Sequence, residues 1–156
     1  MSTMHTVIRA GATAALVATT LSGIWSTMPE ANASIVGTTE AAASAPATVD
    51  VKMMGDQTGY RFSPATITIK RGDSVRWTLV SGPPHNVAFW RDSVPAGAAA
   101  KLDKNMPNVV SPLTGPFFMT PGQSYTVSFA GLPAGTYKYN CTPHLALGMT
   151  AVIQVK

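Results

Sequence analysis

The sequence has little of several residue types, and each scarcity excludes a class of protein. One cysteine in 156 residues excludes an internal disulfide. Charged residues make up only 12% of the chain. The basic ones are dispersed, with no cluster or stripe, which argues against nucleic-acid binding despite a net charge of +4. A mild preference for acidic partners is the most that this charge supports.

Residues 1–33 have the features of an export signal. Arg9 gives a weakly positive start, an uncharged run follows over residues 10–28, and Ala31-Asn32-Ala33 is a small-residue cleavage site. Cleavage there makes Ser34 the first residue of the mature chain. An uncleaved membrane anchor is the alternative, because the uncharged run is long enough to span a bilayer in principle.

Two further segments follow the signal. Residues 34–47 are small and low in complexity, which predicts a flexible linker. From residue 48 to residue 156 apolar and polar residues alternate in short runs, beginning with Val49, Val51 and Met53. Such alternation predicts strands with one core face and one wet face, and turns rich in glycine and proline separate the runs.

The spacing of these runs predicts an all-β fold. Seven or eight short strands between turns favour a Greek-key β-sandwich, with an up-and-down barrel as the alternative. The strands are expected to pair in the antiparallel manner. A short helix is possible within residues 96–104, because residues 98–102 favour helix formation.

Three candidate metal ligands lie within nine residues near the end of the chain: Cys141, His144 and Met149. Alternation along the preceding strand puts Cys141 on the same inward face as Tyr137 and Tyr139. Thiolate, imidazole and thioether together suit copper cycling between +1 and +2 better than zinc or a hard cation.

A fourth ligand is expected from His85. Once His5 leaves with the signal, His85 and His144 are the only histidines of the mature chain. We expect His85 to begin a strand and to face inward with Val87 and Phe89. Taken singly, such residues are more often ordinary core side chains. Two His, one Cys and one Met together match a copper electron-transfer site, whereas structural zinc prefers several Cys or His.

Three segments carry a family resemblance: Pro84-His85-Asn86-Val87, Cys141-Thr142-Pro143-His144 and Gly148-Met149. They resemble the ligand segments of type 1 (blue) copper proteins, the cupredoxins, and within them the plastocyanin/pseudoazurin group. The resemblance covers residues 48–156. It implies one copper ion, Cu(I)/Cu(II), held by His85, Cys141 and His144 with a longer contact to Met149. It also implies that Asn86 ties its strand to the segment that contains Thr142.

The sequence departs from the plastocyanin pattern beside the cysteine. Plastocyanins have a tyrosine directly before it, which serves as a side exit for electrons, whereas here Asn140 has that position and Tyr139 lies one residue further back. Whether Tyr139 offers a second route is open. No acidic patch of the plant type is present, and the loop apex is more apolar. We therefore expect electrons to pass through a surface edge of His144, within a docking collar of Pro143, Leu145, Ala146 and Leu147.

These features predict a small exported blue-copper electron carrier that is not an enzyme. Oxidases and nitrite reductases of this kind need more histidines than the two that remain. The expected partners are redox proteins, either a cytochrome or a copper or haem reductase, met by transient docking of a monomer without a membrane span. The alternative is a copper-binding or delivery protein with no electron-transfer role. The expected location is a bacterial periplasm, with a thylakoid lumen, an archaeal exterior or a membrane tether as alternatives.

Overall fold

The computed structural model describes residues 45–156, so the predicted signal and most of the predicted linker lie outside the described residues. Ala47, the last linker residue, donates its N–H to Asp73 Oδ1 at 2.8 Å. This part of the chain contains one α-helix, α1 (Ala99–Asn105), and eight strands. The strands are β1 (Thr48–Asp56), β2 (Gly59–Ser63), β3 (Thr66–Ile69), β4 (Ser74–Leu79), β5 (Ala88–Phe89), β6 (Ser124–Ser128), β7 (Gly135–Asn140) and β8 (Thr150–Val155).

The strands form two four-stranded sheets, with the orders β2-β1-β4-β6 and β3-β8-β7-β5. β1 pairs with β4 and β3 pairs with β8 in parallel, so the expectation of purely antiparallel pairing is wrong. The reason is that the chain crosses to the second sheet for β3 before β4 returns beside β1. Such crossings exclude an up-and-down barrel for residues 45–156 and confirm the predicted β-sandwich.

The core lies between the two sheets, where the predicted alternation places it. Val51 and Met53 of β1 and Trp77 of β4 are fully buried. The Trp77 ring meets the Tyr139 ring of the opposite sheet edge-on, with centroids 5.4 Å apart. Each large apolar side chain buried in this way contributes about 1.5–3 kcal/mol. This packing makes a rigid frame for the loops at the ends of the sheets.

The predicted short helix is confirmed as α1. It is anchored by the buried Leu102. Its last residue, Asn105, donates from Nδ2 to the Ser128 carbonyl at 2.8 Å. Within residues 45–156, no helix is long and apolar enough to cross a bilayer.

The strand expected to start at His85 is shorter than predicted, because β5 contains only Ala88 and Phe89. β7 ends at Asn140, opposite Ala88, so it offers no partner to residues 85–87. His85 instead forms a single bridge with Phe118, with N···O distances of 3.1 and 2.8 Å. Residues 85–89 are all buried, so this segment does not alternate between a core face and a wet face.

Candidate metal centre

The folded chain brings His85, Cys141 and His144 together. Cys141 Sγ lies 3.4 Å from His85 Nδ1 and 3.5 Å from His144 Nδ1. The three ligand atoms all lie within 4.8 Å of one another, and all three residues are buried. Two imidazole nitrogens thus converge on one sulfur, in a space suited to a single ion.

The loop of residues 141–149 closes on itself through backbone hydrogen bonds. The Cys141 N–H donates to the Met149 carbonyl at 3.1 Å, and the Met149 N–H donates to the His144 carbonyl at 3.2 Å. A 3-10 turn, Thr142–Leu147, lies between them, and Gly148 ends it at φ 81°, a conformation that favours glycine. Met149 is fully buried. Its backbone is therefore tied to both of the candidate ligands that precede it in the loop.

His85 is oriented by a backbone carbonyl. Its Nε2 lies 2.9 Å from the Ser81 oxygen. Because a carbonyl can only accept, Nε2 carries the proton and donates, which leaves the lone pair of Nδ1 directed at Cys141. Metal-binding histidines are commonly fixed in this way. The role of Ser81 was missed in the sequence, since a backbone acceptor leaves no signal in a side chain.

Asn86 links the two segments that carry the candidate ligands. The Thr142 N–H donates to Asn86 Oδ1 at 2.7 Å, and Asn86 Nδ2 donates to Thr142 Oγ1 at 3.2 Å. Asn86 is fully buried. The residue after His85 thus holds the residue after Cys141 in place.

Tyr60 is a site residue that sequence reasoning missed. Its ring stacks on the His144 ring with centroids 3.6 Å apart and an interplanar angle of 13°. His144 is only 7% exposed, so its edge reaches the surface less than the sequence suggested. The only sequence signal for Tyr60 is an aromatic residue next to the turn between β1 and β2.

The two residues that precede Cys141, a tyrosine and an asparagine, are also buried. Tyr139 is fully buried, so it gives no direct contact with a partner at the surface. Asn140, which alternation along β7 puts on the face opposite Tyr139, is buried as well, and its Nδ2 donates to the Ala88 carbonyl at 3.1 Å. Asn140 therefore fastens β7 to β5.

Burial controls the protonation of the candidate ligands. It lowers the pKa of His85, against the opposing effect of the Ser81 hydrogen bond, and of His144, the latter also through the neighbouring His85, which favours the neutral rings with their lone pairs. Burial raises the pKa of the Cys141 thiol, against the opposing effect of the Asn86 and His144 N–H groups. A metal that binds the thiolate must therefore displace a proton.

The residues of the predicted docking collar surround buried His144 in the sequence and are exposed. Leu145 is 41% exposed and Leu147 is 63% exposed. Pro143 and Ala146, in the same turn, are exposed too. The turn thus presents apolar surface next to a candidate ligand.

Two neutral imidazoles and a thiol, with a buried thioether in the same loop, fit copper and contain no carboxylate that would favour a hard cation. The fold and this donor set define a copper-binding β-sandwich protein. The sequence profile described as "Copper binding proteins, plastocyanin/azurin family" matches residues 49–156. The chain belongs to the plastocyanin/azurin family.

Several known proteins are similar to this chain. Chloroplastic plastocyanin of Tetradesmus obliquus is 40% identical over 107 residues, which is 69% of this chain and 66% of that protein. Plastocyanin of Prochlorothrix hollandica is 36% identical over 116 residues, covering 74% of this chain and 79% of that one. Oxidised plastocyanin of the fern Dryopteris crassirhizoma matches with a TM-score of 0.52 at 28% identity, covering 69% of this chain and all of that one.

Family membership confirms the cupredoxin resemblance and copper as the cofactor. The protein is a blue copper electron carrier and not an enzyme.

Proposed function

We propose that copper would be held by His85, Cys141 and His144 with Met149 as a weaker fourth ligand, and that electrons enter and leave on the His144 side. The observation that carries this proposal is the convergence of both Nδ1 atoms on Cys141 Sγ, at 3.4 and 3.5 Å. Bound copper supplies a one-electron couple, which thiolate and thioether ligands tune. The chain itself restrains the ligands and excludes water from the site.

The fold restrains the segments that carry the candidate ligands and shields the sulfur from water. The loop closure of residues 141–149, the Ser81–His85 contact and the Asn86–Thr142 hydrogen bonds each restrain a ligand-bearing segment. Full burial of Cys141 excludes water from the sulfur. A site whose atoms need not move between oxidation states reorganises little, which favours fast electron transfer.

The surface beside His144 suits a partner that docks briefly through apolar contact. Charged side chains are scarce in this part of the sequence: no Asp, Glu, Lys or Arg occurs in residues 77–90, 105–137 or 139–155. On the nearby β1–β2 hairpin, Arg61 and Asp56 neutralise each other at 2.7 Å. Leu145 and Leu147 lose water readily on contact, and no strong charge pairing is required. We propose a redox protein, a cytochrome or a copper or haem reductase, as the partner of a monomer, with transfer rates that depend only modestly on salt.

We also propose that residues 1–33 are removed and that the mature protein works in a bacterial periplasm. The small-residue triplet Ala31-Asn32-Ala33 supports cleavage before Ser34. N-terminal sequencing of the protein from a periplasmic fraction tests both parts. A chain that retains Met1, or that is recovered from the membrane, contradicts them.

The experiment that tests the carrier role separates it from copper delivery. The copper-loaded protein is reduced and reoxidised repeatedly in a stopped-flow instrument. A chelator is present to capture any copper that the protein releases. A carrier regains its full colour in each cycle and keeps its copper. Loss of copper to the chelator within a few cycles favours delivery and contradicts the proposal.

A further inference from the structure

We propose that Tyr60 is a positioning residue for electron transfer, whose stacked ring holds the His144 imidazole in its ligating orientation. The inference rests on the proposed function, in which His144 is a copper ligand. It assigns a role to a residue that lies outside the ligand loop and outside the docking collar.

The two candidate histidines are held by different means. His85 Nε2 contacts the Ser81 carbonyl at 2.9 Å, which is the usual way to fix a ligating ring. Among the hydrogen bonds of residues 45–156, none reaches Nε2 of His144. That ring instead has the nearly parallel Tyr60 ring 3.6 Å away. Stacking restricts rotation of the imidazole as a hydrogen bond would.

The position of Tyr60 is built into the fold. Tyr60 is the cross-strand partner of Gly55 in the β1–β2 hairpin. A Cβ on Gly55 would lie 2.5 Å from Tyr60 Cε1, so the ring lies directly over the Gly55 backbone. A side chain at residue 55 would push the ring aside.

The same segment restrains both histidines. The Gly55 N–H donates to the Ser81 carbonyl at 3.0 Å, the carbonyl that also contacts His85. The Gly55 position likewise lies against the backbone of Gly82. The end of β1 thus supports one imidazole through Ser81 and the other through Tyr60. Loss of the stacked ring frees His144 to move when copper changes oxidation state, which slows electron transfer.

The test compares Tyr60→Leu, Tyr60→Phe and Gly55→Ala. In the copper-loaded protein, the electron self-exchange rate is measured by NMR line broadening, which needs no partner. We expect Tyr60→Leu and Gly55→Ala to remain blue but to exchange electrons about fivefold more slowly, the size of one aromatic contact. Tyr60→Phe keeps the ring and the wild-type rate.

A second readout needs no copper. In the metal-free protein, the ring current of Tyr60 shifts the ring protons of His144 upfield, and this shift is lost in Tyr60→Leu and kept in Tyr60→Phe. Wild-type exchange rates in both Tyr60→Leu and Gly55→Ala overturn the inference and leave the ligand assignment intact. A wild-type protein that is not blue with copper overturns the proposed function itself. If Tyr60→Leu does not fold, Gly55→Ala and Tyr60→Phe decide the question.

Discussion

Asn86 and Thr142 are 56 residues apart in the chain and share two hydrogen bonds, at 2.7 and 3.2 Å. The first joins the Thr142 N–H to the fully buried Asn86 side chain. Asn86→Ala leaves that N–H without its partner, which costs about 1–3 kcal/mol. We expect this loss in the free energy of unfolding of the metal-free protein, measured with urea.

Thr142→Val is the matched control for Asn86→Ala. It removes only the hydrogen bond from Asn86 Nδ2 to the hydroxyl and keeps the shorter one to the backbone. The expected loss is smaller, about 0.5–1.5 kcal/mol. Equal losses in the two variants contradict the view that the side chain of Asn86 matters mainly through the Thr142 N–H.

Leu147→Glu tests the docking collar. Leu147 is 63% exposed beside His144, so a carboxylate there opposes desolvation at the contact. We expect slower transfer to the physiological partner and an unchanged visible spectrum. Val110→Glu alters a similarly exposed side chain, at 58%, outside the 141–149 loop, with the same change of charge. Equal slowing in both variants points to net charge instead of the collar.

Asp73 gives the fold a defined dependence on pH. Its carboxylate accepts the Ala47 and Lys70 N–H groups, both at 2.8 Å. These hydrogen bonds lower the pKa of Asp73 in the folded protein. Its stabilising effect is therefore complete above the unfolded value of about 3.9 and is lost as the pH falls through the lower folded value.

Asp73→Asn should lower the melting temperature of the metal-free protein at pH 7 and weaken its fall on acidification. Asp50→Asn is the control, because the Asp50–Arg76 ion pair is exposed and surface pairs contribute little. Melting curves at neutral and acid pH provide the measurement. An identical pH dependence in wild type and Asp73→Asn rules out the role of Asp73.

Tyr139→Phe tests whether electrons pass through Tyr139, which lies two residues before Cys141. The Tyr139 hydroxyl is buried and has no hydrogen-bond partner among residues 45–156. Burial also raises its pKa, so it stays protonated. We expect an unchanged self-exchange rate and no decrease in melting temperature, because removal of an unpaired buried hydroxyl costs little. A slower rate with an intact spectrum would instead establish a route through Tyr139.

Local patterns in the sequence predicted most of the fold. Alternation along β7 predicted an inward Cys141, and the scarcity of histidine drew attention to His85. The parallel pairing of β1 with β4 was not predicted, because alternation reports which face is buried and not which strand lies alongside. The Tyr60–His144 stack depends on that long-range arrangement and on the space over Gly55. The Ser81 contact with His85 was not predicted, because it uses a backbone oxygen and every residue has one.

The central claim is that Cys141 binds copper as a thiolate together with two histidines. The most direct measurement is a titration of the purified mature domain with Cu(II), followed by visible absorption and compared with Cys141→Ala. We expect an intense blue thiolate-to-copper band that saturates at one equivalent and is absent in Cys141→Ala. A colourless wild-type protein, or a blue band that survives in Cys141→Ala, would contradict it.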